Sequence, residues 1–309
     1  MKSSTATGTT ATASARTAAY RGRFAPSPNG PLHRGSLLAA VASWLDARAR
    51  GGAWIIRMED LDGPRVVAGA ADEILATLAR FGLTPDEAVL YQSGRAAAYR
   101  AALESLAARG LAYRCRCARS EVQGPYDGRC RDLGITDEDC AWRLRLDANA
   151  TLAFEDRIQG HVEYRVADLG DPVLMRRDGI AAYQLAVVVD DAFQRITDVV
   201  RGADLLESTA WQIALARALD VPVPAWAHVP LLTEPDGSKL AKSRHSLSIA
   251  ELEPAPALVA TIAVLGLHAP AELKAAPVSD ILQWAVQHWS LRAVAGVRAV
   301  PLRDGSQLA

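Results

Sequence analysis

The chain has 309 residues, a formal net charge of -1 and 50% hydrophobic residues, a length that calls for one large domain with an insertion or two modest domains, with ample apolar side chains for a core. The near-neutral balance excludes a uniformly basic nucleic-acid binder, so any RNA contact has to be a local patch. No apolar run approaches the roughly 18 to 20 residues that a membrane-spanning helix needs, which excludes a membrane partner of that kind.

In chain order, residues 1–19 are almost entirely Ser, Thr, Ala and Gly, with Lys2 and Arg16 and no acid. They have a weak transit-peptide character and read first as a disordered extension. Residues 20–24 predict a short strand, and residues 25–30 (Ala-Pro-Ser-Pro-Asn-Gly) a tight turn, because two prolines forbid helix. A helix follows over 36–50, with Leu37, Leu38, Val41, Trp44 and Leu45 at helical spacing and Gly51-Gly52 as its stop. Residues 53–58 read as a buried strand, 66–81 as a helix, 88–91 as a strand and 95–109 as a helix. Strands alternating with helices imply an α/β fold, a doubly wound parallel sheet.

The alternation breaks over 111–178, an Arg- and Cys-rich stretch that reads as an insertion splitting the catalytic domain into halves at 20–110 and 179–245. It resumes at 186–190 and 196–201, followed by a helix over about 206–219 and a short apolar piece at 229–232. Residues 246–309 predict a short helical region with helices over 257–267 and 278–289, a break carrying Pro270 and Pro277, and an irregular last fifteen residues or so.

All four cysteines, Cys115, Cys117, Cys130 and Cys140, lie in one stretch. With no apolar leader, such clustering reads as an intracellular protein of the cytoplasm with a metal site rather than a disulfide framework. Four thiolates could by themselves fill a tetrahedral zinc site.

Two segments carry further chemistry. His33-Arg34-Gly35-Ser36 falls at a strand-turn-helix junction, where unpaired N–H groups and the helix dipole favour phosphate. Lys239-Leu240-Ala241-Lys242-Ser243 follows a turn-forming Pro-Asp-Gly-Ser stretch, and the chain has only four lysines among its 34 basic residues, at 2, 239, 242 and 274. A lysine is a compact, flexible charge suited to a departing phosphate, where arginine suits a fixed bidentate partner.

Residues 23–36 (Arg-Phe-Ala-Pro-Ser-Pro-Asn-Gly-Pro-Leu-His-Arg-Gly-Ser), 57–60 (Arg-Met-Glu-Asp) and 239–243 together closely resemble the class I aminoacyl-tRNA synthetases, specifically the glutamyl and glutaminyl branch. His33 and Gly35 match the first family signature, with Ser36 in place of its final histidine. Lys239, Lys242 and Ser243 match the second, with Leu240 and Ala241 replacing Met and Ser. The resemblance implies a class I catalytic domain that uses ATP, with magnesium bridging its phosphates, and His33, Gly35, Ser36, Lys239 and Lys242 at the nucleotide; His33 and Lys242 are its candidate catalytic residues. It also implies that Arg23, Phe24, Ala25, Pro26, Ser27, Glu59, Tyr183 and Arg201 line a glutamate site, with Glu59 facing the α-ammonium. For the metal it implies one structural zinc on Cys115, Cys117, Tyr126 and Cys130, leaving Cys140 outside.

The likeness covers residues 20–245, and the remainder is shorter than the anticodon-binding region of full glutamyl-tRNA synthetases. That resembles the truncated branch of the family, which implies a monomer that activates glutamate without tRNA and attaches it to the queuosine base in the anticodon of tRNA(Asp). Two other readings stay open: a minimal enzyme charging a tRNA acceptor end, and an inactive RNA-binding relative.

Overall fold

The computed structural model describes residues 19–234, 237 and 248–301. The expected N-terminal extension, apart from residue 19, and the 239–243 segment lie outside the described residues. Strand β1 (Arg21–Phe24) pairs in parallel with β2 (Ala53–Met58), and β2 with β3 (Leu90–Tyr91). On the other side of β1 lies β9 (Asp198–Gly202), held there by the Thr197 N–H donating to the Arg21 carbonyl at 2.9 Å. Parallel β10 (Ala225–Val229) continues outward to β6 (Thr151–Asp156) and its antiparallel hairpin partner β7 (Gly160–Arg165). The chain thus builds outward one way from β1 and later the other way from β9. The junction of β1 and β9 is the topological switch point, where an open parallel sheet offers a crevice beyond its strand ends.

Helix α1 (Arg34–Ala49) packs on β1, β2 and β9. Nine of its sixteen residues are buried, from Leu37 round to Ala47, because a second layer covers its other face. That layer is α7 (Pro254–Val264) and α8 (Val278–His288), whose Leu258, Ile262, Ile281 and Leu282 share one apolar core with Val41 and Leu45. Each such fully buried Leu or Ile contributes about 2 kcal/mol. Helices α2 (Ala70–Arg80), α3 (Ala96–Ala108), α5 (Tyr183–Phe193) and α6 (Leu206–Ala218) complete the crossovers. A separate antiparallel sheet, β4 (Ala112–Cys115), β5 (Ala141–Leu144) and β8 (Val173–Met175), carries the cysteines, and the short α4 (Val166–Leu169) follows β7. No helix among the described residues is long and apolar enough to cross a membrane.

Two sequence readings are corrected here. Residues 186–190, taken as a resumption of strand, lie inside α5: Val187 and Val188 favour strand locally, but this run packs as a helix against α3 and α6. The tail is not wholly irregular, since β12 (Ala299–Pro301) pairs in parallel with β11 (Leu231–Thr233).

The buried Asp46 of α1 joins the parts. It accepts from Tyr20 Oη at 2.8 Å, from both Arg157 terminal nitrogens at 2.8 and 3.0 Å, and from Trp289 Nε1 at 3.1 Å. Removing it strands donors from the start of the chain, the β6–β7 turn and the segment after α8. Asp46→Ala is expected to lower unfolding free energy by about 3 kcal/mol in urea titration, while Glu104→Ala, exposed on α3, stays within about 0.5 kcal/mol.

Candidate active site

A cleft of about 520 Å³ opens at the switch point. Its walls come from the chain leaving β1, from the first turn of α1, from Glu59 after β2, from Tyr183 at the start of α5, from the end of β9 and from the β10–β11 segment. Arg23, Phe24, Ala25, Pro26, Ser27, His33, Gly35, Ser36, Glu59, Tyr183 and Arg201 all line this one space. Residues drawn from five elements across 179 positions of sequence are therefore brought together. Lys239 and Lys242 lie outside the described residues, but Leu231–Thr233 leads up to that segment from the cleft wall, and Ile249 beyond it donates to the Leu32 carbonyl at 3.0 Å, also at the cleft.

His33 caps α1: its Nδ1 accepts the Ser36 N–H at 3.2 Å. A neutral ring accepting through Nδ1 carries its proton on Nε2. Gly35 explains how the ring fits, because a Cβ there would stand 3.0 Å from His33 Cε1 and 3.1 Å from Nδ1. The glycine is needed by the histidine as much as by any ligand. Beyond it, the α1 N-terminus presents unpaired N–H groups and the positive end of the helix dipole to the cleft.

The other wall is ionic. Asp191 of α5 receives Arg23 at 3.2 and 3.3 Å and Arg57 at 2.7 Å. Burial works against its charge, yet the two arginines outweigh it and hold the carboxyl below the ordinary carboxylate range. Arg57 also reaches Gln194 Oε1 at 3.0 Å and Glu59 at 3.5 Å. For Glu59 the balance is opposite: burial raises its pKa, and Arg57 and Arg23 only partly offset that. Across the cleft, Arg201 donates from Nε to His228 Nε2 at 3.1 Å and from Nη2 to Thr209 Oγ1 at 2.7 Å, with Nη1 3.5 Å from Tyr183 Oη. Arg57 stands in the 57–60 segment without a role assigned from sequence, and Asp191, Thr209, His228 and Asp156 lie outside every motif and reach the site only through long-range packing.

At the end of β4 and in the segment that follows it, the sulfurs of Cys115, Cys117 and Cys130 lie within 4.8 Å of one another. The Cys117 and Cys130 sulfurs are 3.6 Å apart, and Tyr126 Oη lies 3.3 Å from Cys115 and 3.8 Å from Cys117. Tetrahedral zinc would set sulfur–sulfur edges near ~3.8 Å and sulfur–oxygen edges near ~3.5 Å from its usual bond lengths, so this donor set fits a four-coordinate metal. Cys140 is buried apart from that trio. The arginines nearby are partly committed: Arg131 forks onto Asp171 at 2.6 and 2.7 Å, and Arg129 pairs with Asp127 at 2.9 Å.

Residues 19–269 match the family model described as tRNA synthetases class I (E and Q), catalytic domain. The chain belongs to that family. It is 52% identical over 289 residues to a Glutamyl-Q tRNA(Asp) synthetase of Burkholderia cenocepacia, covering 88% of this chain and 97% of that protein. A Glutamyl-Q tRNA(Asp) synthetase of Pseudomonas aeruginosa is 50% identical over 289 residues, 92% of this chain and 98% of its own. Among solved structures, glutamate-tRNA synthetase from Elizabethkingia anophelis superposes with a TM-score of 0.78 at 26% identity, over 91% of this chain and 68% of that one.

Because Asp191 is the shared partner of two buried arginines, Asp191→Asn is expected to cost about 3 kcal/mol at pH 7. Its folded pKa is depressed, so the stability that the carboxylate contributes is present above the unfolded value near ~3.9 and lost as pH falls through the folded value. The difference between wild type and variant in urea unfolding should therefore shrink on acidification below about pH 4.

Proposed function

We propose that this chain activates glutamate with ATP, without tRNA, and transfers it to the queuosine base in the anticodon of tRNA(Asp). The observation that carries this is the match to proteins named Glutamyl-Q tRNA(Asp) synthetase along nearly their whole length, combined with a cleft in which a carboxylate and two arginines face one another. Glutamate offers one ammonium and two carboxylates. Glu59 suits the ammonium, whose arrival would offset the burial that raises its pKa. Arg23, Arg201 and Tyr183 suit the carboxylates, with Phe24, Ala25, Pro26 and Ser27 shaping the wall between them.

In the first step the α-carboxylate oxygen attacks the α-phosphorus of ATP and pyrophosphate leaves. His33, through its Nε2 proton, and the α1 N-terminus with Gly35 and Ser36 stabilise the α-phosphate; Lys239 and Lys242 serve the β- and γ-phosphates, and a magnesium ion brought with ATP would supply further charge neutralisation there. In the second step a cyclopentenediol hydroxyl of queuosine attacks the glutamyl carbonyl, loses its proton and displaces AMP, leaving an ester. Cys115, Cys117, Tyr126 and Cys130 would hold one zinc ion, which supplies a structural crosslink between the end of β4 and the turn at Gly128. The spacing of the three sulfurs and the phenol oxygen supports Tyr126 over Cys140 as the fourth ligand.

Labelled glutamate should appear on queuosine-containing tRNA(Asp) and not on tRNA(Glu); transfer to the tRNA(Glu) acceptor end would replace this reading with the minimal-synthetase one. Glutamate-dependent pyrophosphate exchange should proceed without tRNA and fall at least ~100-fold in Lys242→Ala with the fold intact. Metal analysis should find about one zinc per chain, lost in Cys117→Ala and kept in Cys140→Ala.

A further inference from the structure

His228, in the middle of β10, is fully buried and does not line the cleft, yet it is bonded on both ring nitrogens. Its Nδ1 lies 2.6 Å from Asp156 Oδ2, and its Nε2 accepts Arg201 Nε–H at 3.1 Å with Thr209 Oγ1 3.0 Å away. Asp156, the last residue of β6, is itself held: Oδ1 accepts the N–H groups of Ile158, Gln159 and His228 at 2.9, 2.8 and 3.2 Å. Asp156 also pairs with Trp226, two residues before His228, where β6 meets β10.

This arrangement has a single consistent protonation. Asp156 as an acceptor-only carboxylate places the ring proton on Nδ1, and Nε2 is left to accept from a guanidinium that can only donate. With Nε spent on His228 and Nη2 on Thr209 and the Leu205 carbonyl, Nη1 is turned toward Tyr183. We propose that Asp156 and His228 are positioning residues that orient Arg201 toward the cleft and thereby set the affinity for the amino-acid substrate. This rests on the reading of the cleft as a glutamate site.

The charged groups around His228 are Asp156 on β6, Arg201 on β9 and Arg23 on β1. Burial, with the two arginines, keeps the ring neutral against the pull of Asp156 and lowers its pKa. A protonated ring would carry a proton on Nε2, could give it to Thr209 Oγ1, and could no longer accept from Arg201 Nε. An asparagine at 156 does the same at neutral pH: three backbone N–H groups require oxygen at the Oδ1 position, so the amide nitrogen must face His228 Nδ1 and drive the ring proton to Nε2.

The test is glutamate-dependent pyrophosphate exchange by the full chain without tRNA. Asp156→Asn and His228→Leu are expected to raise KM for glutamate about 10- to 100-fold, the loss of a hydrogen bond to a charged group, with KM for ATP and kcat within about threefold. His228→Gln, whose amide oxygen can accept from Arg201, should recover most of the affinity. On acidification below the ordinary histidine range it should also show a smaller fall in kcat/KM for glutamate than the wild type, keeping only the part that groups common to both, such as Glu59, contribute. A folded Asp156→Asn variant with wild-type glutamate KM, or a folded His228→Gln variant with the wild-type pH profile, would overturn the proposal, as would a parallel loss in KM for ATP. Nitrogen-15 NMR of the ring, assigned by its disappearance in His228→Gln, reads the tautomer without substrate: a proton on Nδ1 supports the dyad and one on Nε2 overturns it. A wild type that shows this tautomer but no glutamate-dependent exchange overturns the glutamate reading instead.

Discussion

Two guanidinium groups cannot be buried side by side without an anion between them, and Asp191 is that anion. It takes Arg23 from β1 and Arg57 from β2, so one carboxylate on α5 ties those two strands together behind Arg23, which lines the cleft. The cost of dehydrating each ion is several kcal/mol, and only close pairing offsets it. Asp191 also anchors α5 on those strands, and the first residue of α5, Tyr183, lines the cleft. Glu59 is left under-compensated beside them, its pKa raised by burial, which makes this corner receptive to a cation.

Helix α1 serves fold and site with its two ends. Its first turn, capped by His33, faces the cleft, while Asp46 in its last turns gathers Tyr20, Arg157 and Trp289. A helix this fully buried cannot tilt without breaking contacts on two faces, since β1, β2 and β9 pack on one side and α7 and α8 on the other. The direction of its N-terminal dipole is fixed by packing far from the ligand.

What was legible in the sequence was local. The turn at 25–30, the helix stop at Gly51-Gly52 and the apolar run at 53–58 are punctuated by Pro, Gly and β-branched residues, and the elements there agree with the structure to within about two residues. The site residues were found because they sit at strand ends within short motifs. The partners that orient them were not, because Asp191 is 168 positions from Arg23 and Asp156 is 72 from His228. Nor could β12 be read, since three residues pair with β11 across the whole C-terminal region. The run at 186–190 misled because its valines prefer strand while its neighbours on both sides pack it as helix.

The C-terminal helices bear on what the catalytic half can do alone. In a chain with a detached appendage, α7 and α8 would bury their apolar faces against each other and touch the sheet through a polar seam. Here Leu258, Ile262, Ile281 and Leu282 enter the same core as Leu37, Val41 and Leu45, and β12 pairs with β11 beside the cleft wall. These residues are structural members of the catalytic fold. Separating them would expose the outer face of α1 and release β11 from β12, so the described C-terminal region holds α1 and the cleft wall in place.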